Sequence, residues 1–199
     1  RDGALYISDW ADGQRPRRGR ARIFRVVPKG GSAPGSSNAR QHKSPSKSML
    51  FWRLRSKSRL EREAAGAALL RLPRKGWRRL LQSVMWAGKK PTGPAQERAR
   101  MHGVWLLAAG GEDAIDDLLR VAGEDSSMRV RVQAVRAVAD LADPVLVGNR
   151  LDNGSGDERV ADRLARLARS ADPAVHREVI IALGRLQWPG LPEWLKRNT

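Results

Sequence analysis

Hydrophobic and polar residues alternate with a period of two through Ala4 to Trp10, where Leu5 and Ile7 fall on one side and Tyr6 and Ser8 on the other. That period predicts a strand. Ile23 to Val27 forms a second β-branched and aromatic run, stopped by Pro28, and the Gly, Pro and Arg-rich stretch between them predicts a hairpin with a long loop. Residues 29–50, "KGGSAPGSSNARQHKSPSKSML", show no period and read as a flexible basic linker. From residue 58 the period changes to that of a helix. "RLEREAAGAALLRL" and "KGWRRLLQSVMWAG" predict consecutive helices with a turn at Pro73.

One stripe then recurs. Ala99, Gly103, Leu106, Leu107 and Gly110 lie at i, i+4, i+7, i+8 and i+11. Val130, Ala134, Ala137, Val138 and Leu141 repeat these offsets, and so do Val175, Val179, Ala182, Leu183 and Leu186. Second helices are expected between the copies, with Ile115, Leu118, Leu119 and Ala122 on one and Val160, Leu164, Leu167 and Ala168 on the other. Asp172 followed by Pro173 marks a helix start, and Asp125-Ser126 is expected to do the same one repeat earlier. Helix pairs repeating in tandem predict an α-solenoid, each pair burying its stripe against the next. The fold expected is thus mainly α, a HEAT-like solenoid over residues 51–199, behind terminal strands at 1–28 and the linker at 29–50.

A two-stranded hairpin is marginal by itself, which predicts partner strands in a longer polypeptide. Charge supports the division of the chain. Of the net +17, residues 1–90 carry +18 and residues 91–199 carry −1. Arg15, Arg17, Arg18, Arg20 and Arg22 are candidates for nonspecific contact with phosphates or an anionic lipid surface. A nucleic-acid-binding solenoid would carry its cations on the concave face of the repeats, and residues 91–199, where the stripe recurs, are net −1, so nucleic acid ranks second to a protein partner. No apolar run reaches the ~18–20 residues of a membrane span.

Catalytic and metal motifs find little support. Cysteine is absent, which excludes disulfides, thiolate metal sites and covalently attached haem within this chain. His42, His102 and His176 are scattered without carboxylates at ligand spacing. No G-x-S-x-G occurs, and the Gly-Lys pair in "AGKKPTG" has Ser83 where a P-loop needs glycine. "LDNGSGDE" lacks the ligand spacing of an EF-hand and reads as a loop, with Asp157 near a helix start. Trp77, Trp86 and Trp105 are expected to fill grooves between repeats, and Trp188 and Trp194 to cover the last one.

"VRVQAVRAVADL" and "VHREVIIALGRL" resemble the first helix of HEAT repeats, with Arg131 matching the motif's arginine and His176 replacing it. "DGALYISDW" with "GRARIFRVVP" resembles the closing strands of a quinoprotein sugar-dehydrogenase β-propeller. Propeller, linker and HEAT repeats in that order are similar to large membrane-associated, sorbosone-dehydrogenase-like proteins of planctomycete-type bacteria. The resemblance implies a periplasmic or membrane-associated setting. It implies that pyrroloquinoline quinone and haem c, where present, belong to other parts of a longer protein, and that this chain holds no cofactor. Asp9 is expected to cap a turn and Trp10 to pack between blades. The function expected is a non-catalytic scaffold that binds a protein partner or a neighbouring domain.

Overall fold

The computed structural model describes residues 5–9, 22–26, 46–73, 78–87, 90, 92–148, 154–168 and 172–198. Trp10, Arg15, Arg17, Arg18, Arg20, His42 and Trp77 lie outside them. The chain divides into two compact units, Arg1–Pro45 and Ser46–Thr199. The described residues are mainly helical, with a single two-stranded sheet.

In the first unit, β1 (Leu5–Asp9) pairs antiparallel with β2 (Arg22–Val26), Leu5 opposite Val26 and Asp9 opposite Arg22. Leu5, Tyr6, Ile7 and Val26 are all exposed.

The second unit is helical: α1 Lys47–Arg53, α2 Arg59–Leu70, α3 Arg78–Trp86, α4 Pro94–Ala108, α5 Ile115–Glu124, α6 Met128–Ala142, α7 Pro144–Gly148, α8 Glu158–Leu167, α9 Pro173–Arg185 and α10 Leu191–Asn198. A 3-10 turn at Gly111–Ala114 leads into α5. Short-range chemistry sets several starts. Ser58 accepts from the Glu61 amide of α2, in the S-x-x-E arrangement of a capping box, and Asp172 accepts from the Ala174 amide with Pro173 in the first turn of α9. Asp157 caps α8 in the same way.

Two boundaries differ from expectation. Helix α1 begins at Lys47, so the boundary drawn at residue 51 falls inside a helix. Ser46 caps it and Leu50 and Phe51 are buried, signals hidden in a Ser/Lys-rich composition. The cap of α6 is Ser127 rather than the Asp125-Ser126 pair. Asp125 instead accepts from the Ser127 amide and turns its carboxylate inward.

The three stripe helices touch in series, α4 against α6 and α6 against α9, while α5 packs on α6 and against α8. Every residue at i, i+4, i+7 and i+8 of the stripe is buried in all three helices. Val130, Ala134, Val138, Val175, Val179, Leu183 and Leu186 lie in this core, and Leu141 is partly buried beside it. Leu118, Leu164 and Ala122 supply its other side from α5 and α8. Where α3 crosses α4, a Cβ on Gly103 would overlap Met85 Sδ, so the absent side chain is what lets the two helices approach. Trp194 of α10 is buried and covers α9, as expected from the C-terminal tryptophans.

Candidate interaction surface

Three ion-pair clusters tie the helices and orient their outward residues. The first is fully buried. Arg100, which follows the first stripe residue of α4, donates from Nε to Asp125 at 2.7 Å and from Nη2 at 3.3 Å, and from Nη1 to Thr92 at 2.6 Å; both charged side chains are 1% exposed. Burial pushes the Asp125 carboxyl above its ordinary value, against the downward pull of the Ser127 amide and the Arg100 guanidinium. Arg131 holds the matching position in α6, and its Nε donates to the Ala122 carbonyl at 2.8 Å, tying α6 to the end of α5.

The second cluster joins α9 to the end of α6. Arg185 meets Asp140 at 2.8 Å and Asp143 at 3.1 Å. Burial raises the Asp143 carboxyl, but the amides of Val145 and Leu146 and the Arg185 guanidinium outweigh it and hold the group below its ordinary value of about 3.8. With the folded value below the unfolded one, Asp143 contributes stability above that ordinary value and loses it as pH falls through the folded one. The melting temperature of Asp143→Asn is therefore expected to lie below that of the wild type at neutral pH, the gap closing in acid. A gap that stays constant into acid would show that the carboxylate charge contributes nothing.

In the third, Arg136 meets Glu178 at 2.9 Å, again linking α6 to α9. Arg136 stands at i+6 of its stripe. The same offset holds Trp105 in α4 and Ile181 in α9, exposed by 47% and 49%. Six residues carry a side chain about 240° round a helix, well away from the stripe. Trp105, Arg136 and Ile181 therefore form an outward row across three helices in contact. Trp105 was expected to fill a groove between repeats, and the structure corrects this: the small residues of its stripe already make the contact, which leaves the indole outside. Trp86 is partly buried, with the Arg120 guanidinium 4.4 Å from its ring centroid.

The remaining candidates take structural places. His102 Nε2 accepts from Arg62 Nε at 2.8 Å, and burial, then the Arg62 charge, holds its pKa below the ordinary range. The ring of His176 meets Trp194 edge-on at 5.7 Å. Among the described residues no group of three or more His, Cys, Asp or Glu could hold a metal ion, and no helix is long and apolar enough to cross a membrane. Of the arginines proposed for anion contact only Arg22 falls within a described element, β2.

Searches against protein-family models, curated proteins and solved structures returned no match. The surface is therefore read from its own geometry. Sequence reasoning missed the row and the pairs Arg100–Asp125 and Arg136–Glu178. The signal for the row was present, since the offset that defines the stripe also defines which residues face away from it. The partners of the pairs are 25 and 42 residues apart in sequence, and no local pattern joins them.

Proposed function

We propose that the helical unit is a HEAT-like α-solenoid serving as a non-catalytic scaffold, which holds a protein partner or a neighbouring domain of the same polypeptide. One observation carries this reading. Helices with the same buried offsets touch in series, and at one further offset each presents a side chain outward, so the surface repeats as the core does. An exposed Trp and an Arg are residue types enriched at the centres of protein interfaces, and Ile181 adds exposed apolar surface beside them. The strands in residues 1–28 fit, by their resemblance, the propeller of a dehydrogenase-like parent whose cofactor chemistry lies in other parts of that protein. A second reading is binding of nucleic acid or an anionic surface by the N-terminal half, supported by its net +18.

A photo-crosslinking residue at position 105, 136 or 181 of the full chain in its native cells is expected to trap one and the same protein, or one segment of the same polypeptide. Position 163, on α8, is expected to trap neither. Unrelated products from the three positions would overturn the scaffold reading, and nucleic acid trapped from residues 1–57 alone would favour the second.

A further inference from the structure

Helices α1, α3 and α4 enclose a groove of about 380 Å³ whose chemistry differs from that of the two clefts beside α8. Its apolar lining comes from Phe51, Leu80, Val84 and Ala99, and Trp52 forms one wall with two thirds of its surface exposed. Arg55 stands at the mouth, and among the described residues no carboxylate meets its guanidinium. The cleft between α8 and α10 is lined by Asp162 and Glu193 as well as Arg166 and Arg197, and that between α5 and α8 by Asp116 paired with Arg163. Those clefts neutralise their own charge. The α1–α3–α4 groove has no acidic residue in its lining. From Ser46 to Leu60 the chain carries Lys47, Arg53, Arg55, Lys57 and Arg59 and no Asp or Glu.

An uncovered apolar floor asks for an apolar side chain, and an exposed arginine beside it with no carboxylate partner, Arg55, asks for one. The volume, near the low end of the roughly 300–1,000 Å³ typical of binding pockets, suits one or two large side chains. We propose that this groove docks an acidic amphipathic segment of a partner protein, with a Leu or Phe of that segment against Phe51, Val84 and Trp52 and a carboxylate on Arg55. A single strand of nucleic acid fits less well. It needs cations tracking a backbone and several flat stacking faces, whereas this groove offers one arginine without a carboxylate partner and one exposed indole. The groove is built from residues other than Trp105, Arg136 and Ile181, so the proposal stands independently of the scaffold row.

The test is fluorescence anisotropy of the full chain with a labelled helical peptide that has leucines at every third or fourth position and glutamates between them. The same peptide with lysines for glutamates, an oligothymidylate and phosphatidylglycerol-containing vesicles run beside it. Both Trp52→Ala and Arg55→Glu alter exposed positions and leave the core intact. The acidic peptide is expected to bind, the lysine version not to, and each variant to weaken the acidic peptide by about tenfold. The proposal is overturned if the acidic peptide does not bind. It fails equally if the peptide binds both variants as well as the wild type, or if only the oligothymidylate or the vesicles respond to Trp52→Ala and Arg55→Glu.

Discussion

Asp125→Ala is expected to lower the stability of the helical unit by about 3–5 kcal/mol, the range found when one partner of a buried ion pair is removed. The Arg100 guanidinium would stay 1% exposed, with Thr92 as its remaining side-chain partner, and the Ser127 amide would lose its acceptor at the start of α6. Two effects thus add: an uncompensated buried cation and a weakened turn between α5 and α6. Denaturant unfolding followed by circular dichroism measures the loss. The double change Arg100→Met with Asp125→Leu removes both charges and is expected to recover most of it, since apolar replacements of buried pairs are often neutral. A double variant no more stable than Asp125→Ala would locate the loss in the turn.

Leu183→Ala is the second large effect. Leu183 is fully buried in the α9 stripe, and deletion of its side chain leaves a cavity between α9 and its neighbours. The expected cost is about 2–5 kcal/mol. Ile181→Ala, two residues away and 49% exposed, is expected to stay within about 0.5 kcal/mol of the wild type. Thermal melts of the two variants side by side test the division of α9 into an inward stripe and an outward row. Equal losses would remove the physical basis for the row Trp105, Arg136 and Ile181, because a residue that supports the core is not free to serve a partner.

Local spacing made much of the helical unit legible. The offsets i, i+4, i+7 and i+8 fall on one face of any helix because the backbone turns once per 3.6 residues, so the buried residues of α4, α6 and α9 could be named before their neighbours were known. The caps Asp157 and Asp172 were legible for the same reason: each bonds an amide two residues ahead. Composition was less dependable. A run of Ser, Lys and Pro hid the start of α1, because burial of Leu50 and Phe51 depends on residues far along the chain.

By itself, then, the sequence determined the strand and helix periods, the repeated stripe, the near-neutrality of residues 91–199 and the basicity of the first 90 residues. Each is a property of residues near one another in the chain. Only the tertiary structure decided which arginines are buried with a carboxylate, that Trp105 faces outward, and that α1, α3 and α4 enclose a groove with cations and no acid. Those outcomes depend on which surfaces meet across 25 or more residues, and an electrostatic partner or a neighbouring helix leaves no trace in local periodicity.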